Sequence, residues 1–199
     1  MTAVTDPPSR REEIRAIAAA GFAESGFSGC SVREIAEEAD ILSGSLYHHF
    51  ESKDKMVIEI LTHYWHSLFG EYDRVLAIAA PPDETLAGLV VASLAVANIC
   101  PNEVRILQQD WHYLAAILPD LDHNMNRIET TFTDVLQAGI NQGTLRNDID
   151  PRIAYRTIMG AIAWVTRWYR PNGSHTMNEI GIVQATLLVD GLRAQSGRT

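Results

Sequence analysis

SVREIAEEADILSGSLYHHFESK, residues 31–53, is the stretch whose reading decides the fold. Val32, Ile35, Ala36 and Ala39 recur at i, i+3, i+4 and i+7, which places one apolar stripe on a two-turn helix. Ser31 stands at the N-cap with Glu34 three residues on, a capping box in which hydroxyl and carboxylate each satisfy a backbone N–H. Asp40 and Ile41 then form a tight turn, because Asp tolerates the left-handed backbone and Ile can plug the angle between two helices. A second short helix starts near Ser43. Its first turn, Ser43, Gly44 and Ser45, is small and polar, so it can approach a phosphate or a base edge closely. Leu46 and Phe50, at i and i+4, bury its inner face, while Tyr47 and His48 point outward.

The pattern resembles the N-terminal domain of TetR-family transcriptional regulators, T/S-V-R-x-I-A-x-x-A-G-V-S-x-G-x-L-Y-x-H-F-x-x-K, over residues 9 to about 65. It departs at Asp40, where the family usually has Gly; Asp adopts the same backbone conformation. The resemblance implies a double-stranded DNA operator as partner. Ser43, Gly44, Ser45, Tyr47 and His48 are then expected at the groove, with Ser31, Arg33, Tyr47 and Lys53 nearer phosphates.

Working outward, residues 1–8 carry two prolines and no apolar pattern, which predicts a disordered arm. Ile14, Ile17, Ala18, Gly21 and Phe22 repeat at helical spacing up to Gly26, a C-cap glycine, and this first helix completes a three-helix domain over 9–52. Residues 53–199 form the second region. A long helix from Lys53 to about Ala79 leads out of the head, and Pro82 to Ile99 reads as an apolar, buried helix. A helix from 102 to about 118, one from 120 to Gln142 ending at Gly143, one entered through Asp150-Pro151, and a last one from about Thr176 complete the series. The expectation is all-α, about nine helices: an N-terminal helix-turn-helix domain and a C-terminal helical body.

Composition limits the function. The chain has 199 residues, 46% of them hydrophobic, with a net charge of −9. Residues 1–55 hold six Lys or Arg against ten Asp or Glu, unlike a generic nucleic-acid binder. Few phosphate contacts per subunit are therefore expected, with specificity carried by the recognition helix and by two-fold symmetry. The N-terminus lacks an apolar targeting segment and no run of 18 uncharged apolar residues occurs, so the expectation is a cytoplasmic protein without a membrane partner. Cys30 and Cys100 have neither disulfide-framework nor zinc spacing, and no catalytic fingerprint is present: no enzyme, no cofactor and no metal is expected. A weaker metal reading would group His63, His66 and His112.

The last two helices carry apolar residues on more than one face. Ile158, Ile162 and Val165, with Val183, Leu187 and Leu188, are the expected homodimer interface. Tyr64, Arg105, Trp111, His112, Trp164, Arg167 and Trp168 combine aromatic surface with a few polar groups, as a small-molecule effector site requires. The LSGSLYHHF and RWYRPNG segments resemble TetR-type repressors of steroid-ring catabolism, some of which respond to acyl-CoA thioesters. In that reading the arginines meet CoA phosphates, and a ligand that tilts the long helix releases the operator. The rival readings are a helical acyl-thioester or lipid carrier that forms no specific DNA complex, and a ligand-independent activator.

Overall fold

A computed structural model describes residues 9–194, which fold into ten helices with no strand among them. They are α1 (Arg10–Ser25), α2 (Val32–Glu38), α3 (Ser43–His49), α4 (Lys53–Ala77), α5 (Pro82–Ile99), α6 (Pro101–Gln109), α7 (Trp111–Ile117), α8 (Leu121–Gln142), α9 (Pro151–Trp168) and α10 (Met177–Leu192). The disordered arm expected over 1–8 lies outside the described residues. The extra helix arises where one was expected from 102 to 118: the backbone breaks at Asp110, whose carboxylate accepts a hydrogen bond from the Phe27 N–H at 2.9 Å.

Packing divides the described residues into two compact units. Of the described residues, the first comprises 9–64 together with Asn102–Pro119; the second comprises Trp65–Pro101 and 120–194. α6 and α7 therefore belong with α1–α3, and α4 supplies residues to both units.

In the first unit the core is Ile14, Ala18, Phe22, Ile35, Ala36, Leu46, Met56 and Ile60, each no more than 2% exposed. α7 is held on by aromatic and polar contacts. The Tyr113 ring stacks on Phe27 at 4.5 Å, its hydroxyl donates to Asp54 at 2.8 Å, and that bond holds the phenol above its ordinary pKa. Asp110→Ala strands the Phe27 N–H in a buried loop and is expected to cost about 1–3 kcal/mol, read as a lower midpoint in urea unfolding.

In the second unit α5 is the central helix, packed by α10, α8 and α9. Leu86, Leu89, Val90 and Leu94 are fully buried. α5 is also apolar and long enough to cross a membrane by composition, which here reflects core burial. That burial is incomplete: Ala87, Gly88 and Val91 are half-buried and Ala95 is exposed, so one face of α5 stays open where full burial was expected. Beside α5 runs a ladder of rings, Trp65, Phe69, Tyr72, Phe132 and Tyr155, with centroid spacings of 5.8–6.3 Å between successive members. Tyr72 bonds the Ser93 hydroxyl at 2.7 Å, and burial pushes its phenol far above the ordinary range. The end of α10 is tied to the turn after α8 by Arg146 N–H to Leu192 O and Ala194 N–H to Thr144 O, while Arg193 bridges Asp83 and Asp190.

Capping boxes start α1 (Ser9, Glu12), α2 (Ser31, Glu34) and α10 (Thr176, Glu179). Hydrogen bonds from Ser9, Ser31 and Thr176 hold the three carboxyls below their ordinary value of 4.5. A depressed folded-state value means that this stabilisation is present above the unfolded value and is lost as pH falls below it. Thermal midpoints should therefore drop on acidification through about pH 4.5, and less steeply in Glu34→Gln and Glu179→Gln, checked by calorimetry from pH 7 to 3.

Candidate nucleic-acid interface

α2, its turn and α3 are set by local chemistry. The Ser31 side chain accepts from the Glu34 N–H and the Glu34 carboxylate from the Ser31 N–H at 2.6 Å, starting α2 at the residue its spacing implies. Asp40 takes φ 51°, the left-handed conformation that ends α2, and the Ile41 N–H returns to Ala36 O. α3 then buries Leu46 with Phe50 beneath it, at 1% and 2% exposure, leaving its other sides to solvent.

The outward side of α3 presents exposed Ser43, Gly44, Tyr47 and His48, with Ser45 half-buried. A Cβ built on Gly44 meets nothing within 4 Å, so this end of the helix is open for close approach of another surface. Ser31 and Arg33 are exposed on α2, and Arg33 pairs with Glu37 at 2.7 Å.

The cations of the head are distributed in a way the linear sequence does not show. Arg10 donates to Ala39 O at the end of α2, and Arg11 donates to His49 O at the end of α3 while lying over the Phe50 ring. Lys53 is turned inward: it donates to Phe27 O and sits 4.3 Å from the Phe27 ring centroid. These charges satisfy carbonyls at helix ends and loops, where the dipole favours them, and so brace the motif. Of the Lys and Arg of this region, Arg33 and Lys55 are exposed and hold no carbonyl at a helix end or loop. With about 0.9 counterion released per neutralised phosphate and two such cations per subunit, the salt slope of log K for a dimer should be about −4 or shallower, checked by anisotropy titrations across a salt series.

The residues expected at an effector site fall in different places. Tyr64, Arg105, Trp111 and His112 belong to the first unit; Trp164, Arg167 and Trp168 belong to the second, where the two indoles lie one turn apart on α9 and are 64% and 46% exposed. None of the seven lines the groove of about 580 Å³ that opens between α4, α5 and α10, floored by Gly88, Val91 and Ala92 and walled by Val75, Ile182 and Val189. No group of three or more metal-binding side chains occurs among the described residues. Of the expected interface residues, Ile158, Ile162 and Val165 form the inner stripe of α9 and are at most 6% exposed within the single chain, where α9 packs against α8 and α5. Val183 and Leu187 are 58% and 71% exposed, and Leu188 is half-buried. The open apolar surface of these two helices also includes Ile153 and Ile182, each more than half exposed.

Residues 14–60 match the family model of bacterial regulatory proteins of the tetR family, and residues 79–192 match the tetracyclin repressor-like C-terminal domain. The chain belongs to the TetR family. A TetR-family relative, the HTH-type transcriptional repressor KstR2 of Mycolicibacterium smegmatis, is 37% identical over 97% of this chain and 95% of its own. The ketosteroid transcriptional regulator KstR2 of Mycobacterium tuberculosis superposes with a TM-score of 0.91 at 36% identity, covering 96% of this chain and 98% of that one. The fold is also that of AibR in complex with isovaleryl coenzyme A and operator DNA, at a TM-score of 0.79 and 23% identity over 91% and 98% of the two chains. The family membership makes this chain a transcriptional regulator whose α2–turn–α3 segment is the DNA-binding helix-turn-helix, and the all-helical plan read along the chain is borne out.

Proposed function

We propose that this chain is a homodimeric repressor of the KstR2 kind, released from a palindromic operator by an acyl-CoA thioester from ring or lipid catabolism. The observation that carries the reading is similarity to KstR2 repressors along nearly the whole chain, in the head and in the body alike. The outward chemistry of α3 supports DNA reading by Ser43, Gly44, Ser45, Tyr47 and His48, with Ser31 and Arg33 beside the backbone. Lys53 acts through the loop it holds, since its ammonium is spent on Phe27 O.

The apolar outer faces of α9 and α10 support the dimer. A single chain leaves Trp164, Ile182, Val183 and Leu187 more than half in solvent, and a second copy related by a two-fold axis buries the same patch on both sides. For the effector, Arg167 and Arg170 flank the exposed Trp168 at the end of α9, a combination suited to the phosphates and adenine of coenzyme A. AibR, which has the same fold, is solved in complex with isovaleryl coenzyme A and operator DNA, and this supports an acyl-CoA as the kind of effector.

The test is a thermal-shift and anisotropy screen with polycyclic and short-chain acyl-CoA thioesters against free CoA. A cognate thioester at a hundred times its dissociation constant stabilises the protein by about 2.7 kcal/mol and lowers operator affinity; equal responses to free CoA would contradict the assignment.

A further inference from the structure

Leu42 stands apart from every other apolar residue of the head. It occupies the N-cap of α3, forms no side-chain cap, and is 79% exposed, the highest value among the large exposed hydrophobic residues described. The N-cap is where Ser, Thr, Asp or Asn stabilises a helix, and the residues at that position in α1, α2, α9 and α10 (Ser9, Ser31, Asp150 and Thr176) do so. The TetR-type pattern has Ser at this place. Folding gains nothing from the leucine, because the neighbouring Ile41, half-buried at N′, is the residue positioned to pair with Leu46 at N4 as a hydrophobic staple. An aliphatic side chain that caps nothing and is barely covered therefore sits next to the exposed Ser43 and Gly44, at the end of α3 proposed above to meet DNA.

We infer that Leu42 reads a thymine in each operator half-site through contact with the base's C5 methyl group. This deepens the DNA-binding reading of α3 and rests on it. In the major groove the base edges offer hydrogen-bond donors and acceptors together with one apolar feature, the thymine methyl; an aliphatic side chain gains there only by covering that methyl. Donors and acceptors facing Leu42 would instead lose water without a partner.

The experiment replaces thymine by uracil, which removes the methyl and leaves the hydrogen-bonding pattern. Each thymine of a selected operator is exchanged symmetrically in both half-sites, and affinity is measured for the wild type, Leu42→Ala and Leu42→Ser. One symmetric exchange should weaken wild-type binding about fourfold per half-site, the size of one buried methylene, while leaving both variants unaffected at that position. Leu42→Ser should at the same time keep or raise the melting temperature, since it restores a capping oxygen, which separates the contact from any structural role. A wild-type protein that binds the operator but shows no thymine-to-uracil loss beyond that of Leu42→Ala overturns the inference and leaves the DNA-binding reading standing. Failure to form any operator complex overturns both.

Discussion

Gly44→Glu should abolish operator binding, by a hundredfold or more, while the melting temperature stays within a few degrees of wild type. Gly44 is the second residue of α3 and its Cβ position is empty to 4 Å, so a side chain there displaces nothing within the chain. Replacing glycine inside a helix removes about 0.5–1 kcal/mol of backbone entropy cost, and a carboxylate in the first turn is favoured by the helix dipole. The fold therefore tolerates the change. The interface does not: the new side chain fills the closest approach to the groove and sets a negative charge against phosphates, a juxtaposition worth several kcal/mol. Circular dichroism melting and a salt-controlled mobility shift separate the two effects. Retained binding would mean that this end of α3 does not face DNA.

The second large effect is expected from Leu187→Asp. Leu187 is 71% exposed on α10, with Val183 one turn before it at 58%. In the proposed dimer the patch faces its own symmetry mate, so each subunit contributes one uncompensated carboxylate to an apolar seam. Sedimentation should then give a folded monomer. Operator affinity should fall by about 10²–10⁴, because the second half-site is no longer delivered at the effective concentration that linkage provides. Helical content should be unchanged, since no buried contact of the subunit is lost. A variant that stays dimeric would place the subunit interface elsewhere.

Much of the first unit was legible because its determinants are local. A capping box, an i, i+3, i+4, i+7 stripe and an Asp at φ 51° are written within ten residues, and each fixes the backbone by contacts a few residues away. The same holds for Asp150-Pro151, whose carboxylate caps two N–H groups, and for Gly143 in the left-handed conformation. What was not legible depends on pairings across the chain. At the break, Asp110 gives its carboxylate to an N–H at Phe27, 83 positions away, while periodicity alone makes residues 102–118 one helix. The position of Lys53 depends on which carbonyl it reaches, so a cation expected near phosphates is turned to Phe27 O instead. On α9 and α10 the surplus of apolar residues was readable, but which stripe points inward was not: Ile158, Ile162 and Val165 face α5 and α8, and the open surface is carried by Trp164, Ile182, Val183 and Leu187.

An outward α3, presented twice by a two-fold dimer, is the claim on which the rest depends. It is tested most directly by letting the purified full-length protein select from random duplexes and sequencing what it retains. The account predicts an inverted repeat whose half-site centres lie about one helical turn, 10–10.5 base pairs, or a multiple of it apart. Retention without any enriched sequence, or enrichment of a single unrepeated site, would contradict it.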